Sequence, residues 1–118
     1  MKENIIKTKT YDFALKIIMT FKQLKADKEY VLSKQLLRSA TSIGANVEEG
    51  IQGQSKADFI HKFSIAQKES FETHYWLRLL RDSDYLEIGL STELLKDCEE
   101  IQRIITAIIK SAKENKNN

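Results

Sequence analysis

The sequence predicts an all-α fold, an up-down-up-down four-helix bundle, and three observations predict it. Apolar residues recur at steps of three and four through most of the chain, the four such stretches are joined by short connections, and the 118 residues include no proline to interrupt a helix. One domain over residues 1–118 accounts for this length. Its ordered core is expected over about residues 10–112, with KENKNN at 113–118 as a polar tail.

Met1 to Lys9 reads as a polar lead-in, and Thr8 or Thr10 offers a hydroxyl to cap a first helix that runs to about Leu24. Phe13, Ile17, Phe21 and Leu24 form its inward stripe. Tyr11, Ala14, Leu15, Ile18 and Met19 widen that stripe well past the roughly 100° that a bundle core needs. The excess implies a second contact, most simply another copy of the chain.

Lys25 to Glu29 is a charged turn, and a second helix begins near Tyr30 and stops at Gly50 to Gly53. Leu32, Leu36, Ile43 and Val47 face inward, while Ala40, Gly44 and Ala45 keep part of the surface flat. A helical glycine costs about 1 kcal/mol relative to alanine, so Gly44 implies a closely packed neighbour.

Ser55 with Asp58 is a variant capping box opening the third helix, about 26 residues and on the order of 39 Å long, which ends at Leu80. Phe59, Phe63, Ala66, Ser70, Thr73, Leu77 and Leu80 give it the most regular apolar seam in the chain. Phe71, Tyr75 and Trp76 lie off that seam, where they can cover its flank or meet a partner chain, and packing is the favoured reading. Asp82 to Leu90 makes the next turn. Ser91 then caps the fourth helix with Leu90 and Leu95 as a hydrophobic staple, and the helix continues through Leu94, Ile101, Ile104, Ile105, Ile108 and Ile109 to about Ala112.

Nineteen Lys and Arg against seventeen Asp and Glu give a net charge of +2, so bulk charge points to neither nucleic acid nor a membrane surface. The distribution is uneven. Residues 82–100 hold Asp82, Asp84, Glu87, Glu93, Asp97, Glu99 and Glu100 against Lys96 alone. Glu93 and Asp97 suit the positive end of the last helix, and Lys110, Lys113 and Lys116 suit its negative end. The single Cys98 forms no internal disulfide and fits a reducing cytoplasm, and no stretch approaches the roughly 20 apolar residues of a membrane span. Charges break every apolar run near the N-terminus, so no targeting segment is expected there.

Catalysis finds no home in this pattern, and no enzyme activity, metal or cofactor is expected. A di-metal bundle needs two Glu-x-x-His pairs, whereas this chain offers only His61 and His74, with Asp58 the one acid at the right offset. Cys98 sits among Asp97, Glu99 and Glu100, which discourage a thiolate. Gly50-Ile-Gln-Gly53 lacks the length and the Lys-Ser/Thr ending of a phosphate loop. Asn46, Glu49, Glu69 and Glu72 flank the central pair of helices as a structural polar network, in which Asn46 and a carboxylate of the third helix would fix register.

Arg38 to Gly50, RSATSIGANVEEG, with SIAQKESFETHYWLRLL at Ser64 to Leu80 and Asp84-Tyr85-Leu86, resembles the bacterial four-helix-bundle proteins encoded in intervening sequences of large-subunit ribosomal RNA genes. The same stretches are similar to the accessory variability determinant of diversity-generating retroelements. The likeness covers about Tyr11 to Ile109, and its most specific run is Ser42 to Gly50. It implies a ring-like homopentamer and a basic surface that contacts RNA or DNA. Lys2, Lys9 and Lys16, one heptad apart, with Lys22 and Lys25, would form that surface and repeat around the ring. A solvated helix face explains the same lysines without a ligand. The other function class is a structural module whose oligomer docks a protein partner.

Overall fold

The computed structural model describes the backbone of residues 2–115 and side chains from Ile5 to Asn115. The side chain of Lys2 and residues 116–118 of the expected tail lie outside the described residues. Four helices, α1 (Lys2–Ala26), α2 (Leu32–Ile51), α3 (Lys56–Asp82) and α4 (Ile88–Glu114), pack as α1 on α2, α2 on α3, α3 on α4 and α4 back on α1. With short connections, this sequential contact is the expected up-down-up-down bundle, 51 × 21 × 19 Å in extent.

The seams match the periodicity. Phe63, Ala66, Ser70, Thr73, Leu77 and Leu80 of α3 are all buried, as are Leu94, Cys98, Ile101, Ile105 and Ile108 of α4. Leu36, Ala40, Ile43 and Val47 of α2 complete the core with Ile6, Phe13, Ile17 and Leu24 of α1. Ala45, expected among the flat packing residues, is exposed.

Both glycines of α2 mark close approaches. A Cβ on Gly44 would stand 3.3 Å from Thr10 Oγ1, and one on Gly50 would stand 2.8 Å from the Phe63 ring. The helix ends at Ile51, within the expected stop at Gly50 to Gly53. It runs through Gly50 because that position has no Cβ where the buried Phe63 ring of α3 crosses it.

Among the described residues the left-handed backbone falls instead on Lys28 (φ 69°) and Asp84 (φ 66°). Glu29 N–H donates to Leu24 O and Lys28 N–H to Lys25 O; Tyr85 N–H donates to Leu80 O and Asp84 N–H to Arg81 O. Each set is the paired closure of a Schellman motif, so α1 and α3 end in the same way without a glycine.

Three helix starts can be compared with expectation. Ser55 Oγ accepts from Asp58 N–H at 3.1 Å, as the capping reading requires. The first helix begins at Lys2, ahead of Thr8 and Thr10, because Ile6 and Thr10 extend the inward stripe of Phe13 and Ile17 by another two turns. Thr10 Oγ1 donates to Ile6 O at 2.8 Å and caps nothing. The fourth helix begins at Ile88, where Glu87 accepts from the N–H groups of Gly89 and Leu90; Ser91 lies inside it and donates to Ile88 O. At its other end α4 continues past Ala112 to Glu114.

The start of α2 depends on a residue the sequence left in a turn. Glu29 is 7 % exposed, and its carboxylate accepts from Val31, Leu32 and Ser33 N–H at 3.2, 3.1 and 2.6 Å. Burial raises its pKa, yet these backbone donors outweigh that and hold it below the ordinary carboxylate value.

Candidate functional site

The polar residues of α2 and α3 meet as ion pairs at the helix boundary. Arg38 donates to Glu69 Oε2 at 3.1 Å and also to Glu72, while Lys62 pairs with Glu49 at 3.0 Å. Trp76 Nε1 donates to Glu72 at 3.0 Å. The Trp76 indole, and then Arg38, hold the Glu72 carboxyl below its ordinary range against the opposing effect of burial. Asn46 does not join this network. Its amide donates to Ser42 O and Ser42 Oγ one turn back, because the helix backbone offers an acceptor nearer than any carboxylate of α3. The buried cross-helix bond runs instead from Thr73 Oγ1 to Ser39 Oγ at 2.9 Å.

The basic residues of α1 divide into two groups. Lys9 pairs with Glu100 at 3.0 Å, and Lys16 pairs with Asp97 at 2.7 Å and Glu93 at 2.9 Å. Hydrogen bonds to Asp97 and Glu93 push the Lys16 pKa up to about 12. Lys22 and Lys25 are exposed and pair with no carboxylate among the described residues, Lys25 lying 5.9 Å from the Phe21 ring centroid. The acidic block thereby gains a structural account. Glu93 and Asp97 sit beyond the first turn of α4, so they answer the α1 lysines rather than the helix dipole.

Two helices present rows of apolar residues to solvent, and Ile88 at the start of α4 is exposed singly. On α1, Tyr11, Leu15 and Met19 are 59 %, 48 % and 64 % exposed and follow one another at steps of four, on the side opposite Phe13 and Ile17. On α3, Phe71 and Tyr75 are exposed, which corrects their reading as packing residues. Only Trp76 of the three packs against the core, since its position turns toward α2 and Glu72.

Side chains with chemical potential are engaged elsewhere. Burial, with Glu99 and Asp97 nearby, pushes the Cys98 thiol up to about 12, and its Sγ donates to Ser70 O at 3.3 Å. Arg78 Nε donates to His74 Nδ1, so that ring carries its proton on Nε2 and donates to Glu99 at 2.8 Å. His61 is exposed, and among the described residues no cluster of three His, Cys, Asp or Glu side chains is placed to hold a metal ion. A groove of about 580 Å³ lies between the α2–α3 connection and the end of α4, and among the described residues Lys56 is the only charged group in its lining. No helix among the described residues is long and apolar enough to cross a membrane.

These features define an all-α four-helix bundle. The family model for the 23S rRNA-intervening sequence protein matches residues 2–107, and the chain belongs to that family. It is similar to a solved protein of unknown function from the S23 ribosomal protein family of Bacteroides thetaiotaomicron. The two share 47 % identity with a TM-score of 0.91, over 93 % of this chain and 99 % of that one. Among the curated proteins nothing matches.

The resemblance read from Ser42 to Gly50 thus leads to the right family. Sequence reasoning missed Arg38 as the partner of Glu69 and Glu72, since that pairing depends on the register between two helices. It also missed Glu29, for which a carboxylate just ahead of a helical run is a usable signal.

Proposed function

We propose that the chain is a non-catalytic, self-associating protein of the cytoplasm that binds RNA or DNA as a homopentameric ring. The observation that carries the reading is the exposed α1 stripe of Tyr11, Leu15 and Met19, a row of large apolar side chains that a second copy would cover. Lys22 and Lys25 lie at the end of the same helix without carboxylate partners among the described residues, and ring symmetry multiplies such a weak basic patch. Lys9 and Lys16 contribute less, because α4 carboxylates already meet them. The family's name ties it to ribosomal RNA genes, which supports a nucleic-acid ligand. The lone Cys98 supports a reducing compartment.

A second reading has its own observation. The pairing of Lys9 and Lys16 with Glu100, Asp97 and Glu93 neutralises two of the five lysines of the basic stripe, which favours an oligomer that docks a protein. Light-scattering mass at low and high salt, with absorbance at 260 and 280 nm across the peak, separates the two. The first reading expects a pentamer that sheds nucleic acid as salt rises. It further expects Leu15→Glu with Met19→Glu to dissociate the ring, and Lys22→Glu with Lys25→Glu to abolish nucleic-acid retention at unchanged mass. A clean oligomer without nucleic acid turns the reading toward protein docking, and a monomeric wild type overturns the ring.

A further inference from the structure

Lys68, Phe71, Tyr75 and Arg78 follow one another along α3 at steps of three, four and three, which places them on one stripe opposite the buried Ala66, Ser70 and Leu77. All four are exposed. Among the described residues neither Lys68 nor Arg78 pairs with a carboxylate, and the Arg78 guanidinium stands 5.6 Å from the Tyr75 ring centroid. A cation, two aromatic rings and a second cation therefore alternate on an open surface.

We propose that this stripe is a stacking platform for a single-stranded nucleic acid. Phe71 and Tyr75 each receive an unpaired base, and Lys68 and Arg78 meet phosphates on either side. The proposal rests on the nucleic-acid reading above and adds a surface that the α1 lysines do not supply. Residues four apart on a helix are about 6 Å apart along its axis, so the two rings serve successive bases of an unstacked strand. Bases locked inside a duplex offer no face to rings standing on a convex helix, which sets the preference for single strands.

Charge decides between this ligand and a second copy of the chain. Covering the stripe with its own copy would bury Lys68 and Arg78 against each other's equivalents, and the carboxylate that continues the stripe, Asp82 four residues past Arg78, is already paired with Arg81. Glu72 is likewise engaged by Arg38 and Trp76, and Glu99 by His74. A polyanion supplies what both cations lack. The α1 stripe carries no such alternation between Tyr11 and Met19 apart from Lys16, which α4 holds.

The test is fluorescence anisotropy of a labelled twelve-nucleotide oligo(U), alone and annealed to oligo(A), with the full chain at one fixed salt concentration. Phe71→Ala with Tyr75→Ala is expected to weaken single-strand binding by at least about 30-fold, with far-UV circular dichroism and light-scattering mass unchanged. Phe71→Trp should retain binding and Phe71→Leu should not, since leucine keeps the apolar area without a π face. Trp76, whose ring centroid lies 5.2 Å from that of Tyr75, should report the stacking as quenched fluorescence.

Unchanged single-strand affinity in the double variant overturns the proposal. So does a change in its oligomeric mass, which would mark this face as an interface between copies. If Lys22→Glu with Lys25→Glu abolishes binding while the α3 variants do not, this inference fails and the α1 reading survives. The reverse pattern keeps the platform and removes the α1 lysines from the site. A wild type that binds no oligonucleotide sinks both.

Discussion

Glu29→Ala removes the acceptor for three backbone amides at the start of α2, those of Val31, Leu32 and Ser33. Losing an N-cap costs about 0.5–2 kcal/mol, and a hydrogen bond to a charged group contributes about 1.5–3 kcal/mol. Val31 is exposed and its amide can turn to water, whereas Ser33 is fully buried and its amide cannot. The loss therefore falls near the top of the capping range, about 2 kcal/mol, or roughly 8 °C in Tm for a chain of this size. Glu29→Gln keeps an acceptor oxygen without the charge and should lose about half as much.

The pH dependence follows from the lowered pKa. A depressed carboxylate contributes its stabilisation fully above the ordinary value of 4.5 and loses it as pH falls through the folded-state value. The gap between wild type and Glu29→Gln should accordingly close as the solution is acidified below 4.5. Urea unfolding followed by circular dichroism at one protein concentration measures both effects. A Glu29→Ala variant within about 0.5 kcal/mol of wild type would refute the capping argument.

Gly50→Ala places a methyl 2.8 Å from the buried Phe63 ring, so it should destabilise by about 1–3 kcal/mol despite alanine's helix preference. Gly44→Ala meets Thr10 no closer than 3.3 Å, at Oγ1, and should cost clearly less in the same urea titration. Cys98 should react with iodoacetamide at pH 8 far more slowly in the native protein than in urea, as mass spectrometry would show. Because folding raises that thiol from 9.0 to about 12, its contribution to stability is complete below 9.0 and declines as pH rises through that window. Lys16→Met breaks two partly exposed ion pairs and should cost at most about 1 kcal/mol, shrinking as salt is added.

Repeating apolar steps made the fold legible in particular residues. Phe63 to Leu80 on α3 and Leu94 to Ile108 on α4 occupy the seam their spacing assigns, and Ser55 caps where its hydroxyl predicts. The N-terminal half of α1 was hidden because Lys7 and Lys9 flank Ile6, and charge there reads as a lead-in although those lysines project away from the core. Helix ends were harder still. Schellman closures usually announce themselves with glycine, but here Lys28 and Asp84 occupy the left-handed position, while the glycines serve helix contact.

The candidate surface was legible only as an inventory. Lys9, Lys16, Lys22 and Lys25 share a helix and differ in what stands opposite them, which α4 decides. Phe71 and Tyr75 are no less apolar than the buried residues beside them. Their exposure depends on which side of α3 remains uncovered once α2 and α4 have docked.

The two matching closures at Lys28 and Asp84 also bear on how the chain reaches this structure. Both use hydrogen bonds between residues three to five positions apart, and both sit in the connections that turn α1 into α2 and α3 into α4. Each antiparallel pair can be turned back on itself before any distant segment arrives, which leaves the docking of two hairpins as the long-range step. Ser39 with Thr73 and Lys9 with Glu100 both bridge the two hairpins, so both contacts form only in that step.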